Sequence, residues 1–132
     1  MSRSEAQALD VIASGTTRLG EVYVASHYQR EDPIFLADSV FALYMEGLSR
    51  AAEPLIERTD GGIVAAPRGS DDRAGFRAAD VTLTPFGRDV LERRQDRVAM
   101  NGLDRWLGGV HLCGHVVRWR WDEAERRLHD VA

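Results

Sequence analysis

Apolar residues recur at helical spacing through the first half of the chain. Ala6, Leu9, Ile12 and Ala13 form the first set. Ser4, with Gln7 three residues on, gives a capping-box pattern ahead of it. Gly15 stands where a helix would close in a left-handed residue. A second helix is predicted after Thr17, with Leu19, Val22 and Tyr23 on one side. It must end by Glu31-Asp32-Pro33, because proline disfavours helix in the residue before it. The third pattern is the cleanest. With Asp38 as N-cap, Phe41, Tyr44, Met45 and Leu48 fall at i, i+3, i+4 and i+7. The opposite side, Ser39, Ala42, Glu46, Ser49 and Arg50, is expected to face outward.

After Pro54 the period shortens. Leu55–Arg58 reads as a strand, Thr59-Asp60-Gly61-Gly62 as a turn, and Ile63–Ala66 as a second strand. Residues 67–80 are polar and rich in Gly, Asp and Arg, the composition of a long loop. Val81–Leu83 returns as a strand. Thr84 then caps a helix with Pro85 in the favoured first position, running to about Gln95. Three helices, a strand, a loop, a strand and a helix are the order of a winged-helix domain, with 67–80 as the tip of the wing.

The C-terminal stretch is crowded. Asn101–Asp122 holds all three tryptophans, the only cysteine and two of the four histidines. Gly108-Gly109 breaks the chain before Val110-His111-Leu112. The segment His115–Asp122 alternates strictly, so Val117, Trp119 and Trp121 face one way and Arg118 and Arg120 the other. A hairpin turning near Gly114 would place Val110 and Leu112 with the tryptophans, and that apolar face is expected to pack on the domain. His111, Arg118 and Arg120 would share the polar face, an arrangement suited to an anion. His111-x-Cys113-x-His115 has zinc-type ligands, but a turn at Gly114 separates them and the arginines repel a cation. No metal and no cofactor are expected. Asp104 with His111 could act as an acid–base pair beside Arg105, and these three are the only catalytic candidates. The chain has no nucleophile elbow, phosphate loop or His-Glu-x-x-His motif.

Composition adds limits. The 132 residues suit one domain, 1–132, divided into a winged-helix core at 1–96 and a Trp-rich extension at 97–132. Apolar residues make up 44% and charged residues 29%, which is ordinary for a globular protein. With Cys113 alone there is no intrachain disulfide, and Met1–Ser14 lacks the apolar run of a signal peptide. No stretch reaches the roughly 20 apolar residues of a membrane span. A cytoplasmic protein without membrane contact is expected. All 17 basic residues are arginine, and the net charge is −4. Residues 1–60 carry five arginines against ten acids, and residues 61–132 carry twelve against eleven.

The run LTPFGRDVL…DRVAMNGLDRWLGGVHL…WRWD resembles the C-terminal region of an uncharacterised family of bacterial proteins. The pattern is LT-x-x-GR-x-VL, then NG-[IL]-DRW-[LV]-GGVHL, then WRWD. Cys113 and His115 lie outside it. The resemblance implies a winged-helix-like segment with a terminal extension. It also implies a partner domain, since longer members carry a further N-terminal domain. It implies no activity.

The fold class expected is therefore α+β: a winged helix extended by a C-terminal β-hairpin. The function expected is non-catalytic binding, as a bacterial regulator or adaptor acting through protein contacts. Ile34, Phe35 and Glu46 are the candidate partner contacts. The alternative is a DNA-binding regulator using Arg68, Arg73, Arg77, Arg118 and Arg120. The weak point of that alternative is the outward side of the third helix, with one arginine and one glutamate, which neutralises few phosphates. A small enzyme or anion-binding domain built on Asp104, Arg105 and His111 is the third reading. A homodimer is compatible with all three.

Overall fold

The computed structural model describes residues 1–122 and 124–130. The chain divides into two compact units, Met1–Gln95 and Asp96–Ala132. Helices and three small antiparallel strand pairs occupy separate stretches of the described chain, so the fold is α+β. No described helix is long and apolar enough to cross a membrane.

In the first unit, α1 spans Arg3–Ala13. Its capping box lies earlier than the Ser4–Gln7 pattern suggests. The Glu5 N–H donates to Ser2 Oγ at 3.3 Å, and the Ser2 N–H donates to Glu5 Oε2 at 2.7 Å. Glu5 is the stronger acceptor there, and Gln7 instead donates to Glu31 Oε1 at 3.0 Å. Helix α2, Leu19–Tyr23, runs on into a π-helical turn at Val24–Tyr28. Helix α3, Asp38–Arg50, begins one residue after its N-cap Ala37. Phe41, Met45 and Leu48 are fully buried, as their spacing predicts. They meet Leu9, Ile12, Leu19, Val22, Leu55 and Ile56 in one core.

Strands β1, Ile56–Arg58, and β2, Val81–Leu83, pair antiparallel with Ile56 opposite Leu83. On the other side of 79–81 the chain at 17–19 runs antiparallel. Leu19 N–H donates to Ala79 O, and Val81 N–H to Thr17 O, each at 3.0 Å. Helix α5, Pro85–Leu91, starts at Thr84, whose hydroxyl accepts from Gly87 N–H at 2.9 Å and donates to Pro54 O at 2.6 Å. A Cβ on Gly87 would stand 2.0 Å from Leu55 O, so this close approach of helix to strand admits only glycine. The helix ends at Leu91, short of the expected Gln95, and Arg93 takes a φ of 61°.

Between β1 and β2 the chain departs most from expectation. Residues 63–66 form no strand, and 67–80 is not an open loop. Val64 and Ala66 are buried against the rest of the unit. A 3-10 turn at Ser70–Asp72 leads into α4, Arg73–Ala78, which packs beside α2. Phe76 and Ala79 supply the apolar contacts that a count of charges along the segment conceals.

In the second unit, helix α6, Arg97–Asn101, is capped by Asp96 Oδ1, which accepts from Val98 N–H at 2.8 Å and Ala99 N–H at 3.3 Å. Strands β3, Leu103–Leu107, and β4, Val110–Gly114, form one hairpin. Strands β5, Trp119–Asp122, and β6, Arg127–Asp130, form another. The expected pairing of Val110–Leu112 with Val117–Trp121 is therefore overturned. The two-residue turn is Gly108-Gly109, whose φ angles of 55° and 82° are those a tight primed turn demands. Gly114, φ 97°, ends β4 instead of turning it.

Candidate binding surfaces

Two places in the first unit bring expected site residues together. The first is the outer side of α3. Its residues were expected to face solvent, yet Ala42 and Glu46 are buried, Glu46 at 8% exposure. The returning segment meets Glu46. Glu46 Oε2 accepts from Ala66 N–H at 3.0 Å, and Arg68 Nη2 donates to Glu46 Oε1 at 3.0 Å. Arg50, one turn along α3, also reaches Glu46 at 3.5 Å. Glu46 thus pins residues 66–68 to α3 and leaves little carboxylate for a partner. Ile34 and Phe35 are placed differently. They are exposed, Phe35 at 63%, with the Phe35 ring edge-on to buried His27 at 4.6 Å. His27 Nε2 accepts from Leu36 N–H at 2.9 Å, which holds the loop bearing both side chains.

The second place is a groove of about 620 Å³ between α2, the π-helical turn, the start of α3 and residues 67–77. Tyr23, Val24, Phe41 and Phe76 give it an apolar lining, and Arg68, Arg73 and Arg77 line it together with Asp38. Arg77 pairs with Asp38 at 3.3 Å and Arg68 with Glu46. Arg73 has no ion-pair partner among the described residues. The Tyr23 hydroxyl donates to Leu36 O at 2.8 Å. Burial, then the nearby Asp38 carboxylate, push its pKa above the usual tyrosine value. Sequence alone offers no signal for this groove, because its wall is the segment that composition marks as a loop.

In the second unit the three catalytic candidates separate. Asp104 and His111 lie on one face of the β3–β4 hairpin, with His111 Nε2 2.6 Å from Asp104 Oδ1. The His111 ring lies flat on Trp106, its cross-strand neighbour, with centroids 4.6 Å apart and planes 5° apart. Arg105 stands opposite Leu112 on the other face. Cys113 stands opposite Asp104, while His115 turns to Ala99 O at 3.0 Å. A shallow depression of about 360 Å³ adjoins Asn101, Asp104, Cys113 and His115. No group of three or more His, Cys, Asp or Glu among the described residues could hold a metal ion.

The expected anion face of His111, Arg118 and Arg120 does not assemble on one hairpin, since His111 belongs to β4 and the arginines belong to and precede β5. Each arginine has an acid. Arg118 Nη2 lies 2.6 Å from Asp130, and Arg120 Nη2 lies 2.9 Å from Asp96. Asp130 raises the Arg118 pKa by hydrogen bonding. At Asp96, burial pushes the carboxyl up. Arg120 and the capping N–H groups outweigh it and hold the pKa below the usual carboxylate value.

Trp106, Trp119 and Trp121 are 66%, 54% and 57% exposed. Trp119 and Trp121 share one face of β5, with exposed Leu128 directly opposite Trp121. Val98 is the one buried apolar side chain in this unit among the described residues. No family model, curated protein or solved structure matches the chain.

Proposed function

We propose that the chain is a non-catalytic binding module of winged-helix type whose hairpin unit presents a tryptophan surface to a protein partner. One observation carries the reading: Trp119, Trp121 and Leu128 lie exposed together on a two-stranded hairpin. Isolated two-stranded hairpins are marginal in water. Units below about 40 residues usually depend on a disulfide, a metal or association. A bound protein partner would cover the apolar face. Trp is also the residue most enriched at binding hot spots.

The winged-helix label is supported by the order of elements. Helix α1, an extended segment at 17–19, α2, α3, β1, a return segment, β2 and α5 follow one another. The segment 17–19 flanks 79–81, beyond which β2 pairs with β1. A DNA reader of this type would place α3 in the major groove. Ala42 and Glu46 lie on the side it would use, both are buried, and Glu46 is held by the chain's own Ala66 and Arg68. DNA binding therefore has less support than protein binding. Catalysis has less still, because Arg105 stands on the face opposite Asp104 and His111.

A photo-crosslinking residue at Leu128 tests the reading in the native host. It should yield one discrete protein adduct, lost when Trp119 and Trp121 are both replaced by Ser. The same probe at Glu92, exposed in the first unit, should not yield that adduct. Equal products from both positions, or none from Leu128, would reject the proposal.

A further inference from the structure

We infer that the groove beside α4 is a binding site for a small amphipathic carboxylate, its apolar body among Tyr23, Val24, Phe41 and Phe76 and its head on Arg73. This goes beyond the partner surface and uses none of its residues. The volume, about 620 Å³, falls within the range of small-molecule sites. The apolar walls belong to three separate elements, α2 with its π-helical turn, α3 and α4, so the groove exists only in the folded unit. Gly20 helps to form it. A Cβ there would meet Arg77 Cβ at 3.2 Å and Arg77 O at 3.3 Å, tighter than ordinary packing, so glycine lets α4 close on α2.

The charge of the lining selects the ligand. Three arginines face one aspartate. Asp38 answers Arg77, and Glu46, from outside the groove, answers Arg68. Arg73 is the arginine of the groove left without an acid among the described residues. A guanidinium beside an apolar cleft matches a carboxylate in shape and charge, and the bond strengthens where water is partly excluded. A cation would meet net repulsion. A neutral apolar molecule would leave Arg73 unanswered. A nucleic acid backbone would need a broad basic surface, whereas the arginines on either side of Arg73 are already paired.

Calorimetric titration of the full chain with decanoate tests this, with decylamine of equal chain length as the opposite charge. Decanoate should bind one to one and decylamine at least tenfold more weakly. Arg73→Ala should weaken decanoate about tenfold, since Arg73 is exposed and its loss leaves the fold intact, and Arg73→Lys should recover part of the loss. Ser39→Phe, filling the groove from α3, should abolish binding. Proton NMR locates the site: all three tyrosines lie in the first unit and all three tryptophans in the second. The Tyr23 and Tyr28 ring signals should shift while the indole N–H signals stay. Equal affinity for decylamine, no response to Arg73→Ala, shifts at the indoles instead, or no saturable decanoate binding at millimolar concentration would each overturn the inference.

Discussion

The two units spend their apolar residues in opposite ways. In the first, leucines, valines and phenylalanines spaced along α1, α2, α3 and both strands converge on one core. In the second, aromatic and aliphatic residues of comparable size line the hairpins and remain open to solvent. Helices spaced at 3.6 residues direct a whole stripe at their neighbours. A two-stranded hairpin has two faces and no layer of its own to cover either. The buried apolar residues of the first unit hold a fold, whereas those of the second, like exposed Ile34 and Phe35 in the first, are available to something else.

The sharpest way to break this comparison is to make similar truncations in both units. Leu9→Ala, at a site with no solvent exposure, should cost about 2–5 kcal/mol by chemical denaturation followed at the tyrosines. Glu46→Ala should come next, at about 1–3 kcal/mol, because it leaves the Ala66 N–H buried without an acceptor. It should also speed proteolysis between residues 63 and 80, where the returning segment loses its pin. Glu46→Gln should be intermediate, since an amide oxygen can still accept from Ala66.

Within the second unit, Asp96→Ala should cost about 1 kcal/mol, from the loss of the α6 cap. Its pH dependence follows from the lowered carboxyl pKa. The folded state favours the ionised form, so the contribution is present above the unfolded pKa. It fades as pH falls through the lower folded value. The stability gap between the wild type and Asp96→Asn should therefore be constant near neutrality and close in acid below about pH 4. The smallest effect expected is that of Trp121→Ala, within about 0.5 kcal/mol of the wild type, because the side chain is mostly exposed. A loss comparable to that of Leu9→Ala would erase the contrast between the units.

Much of the first unit was legible in the sequence because its signals are local. The stripe of Phe41, Met45 and Leu48 and the Thr84-Pro85 start of α5 follow from periodicity and capping alone. Residues 63–80 were not legible, because what holds them is distant in sequence: Glu46, twenty residues before Ala66, and α2, more than fifty before Phe76. The hairpin register failed for a different reason. Two glycine sites, Gly108-Gly109 and Gly114, compete as turns, and alternation in Trp119–Asp122 is satisfied equally by a partner on either side. Pairing with Arg127–Asp130 had no apolar pattern to announce it. Asp104 with His111 was legible as a pair. That His111 would lie on Trp106 needed the register.

The most direct test of the central claim is collisional quenching of tryptophan emission by acrylamide in the purified chain at micromolar concentration. The three tryptophans report on the hairpin unit alone. A red-shifted emission and quenching close to that of a solvated indole are expected, both reversed when the crosslinked partner is added. A blue-shifted emission with weak quenching in the isolated chain would mean that the tryptophans are already buried, and would contradict it.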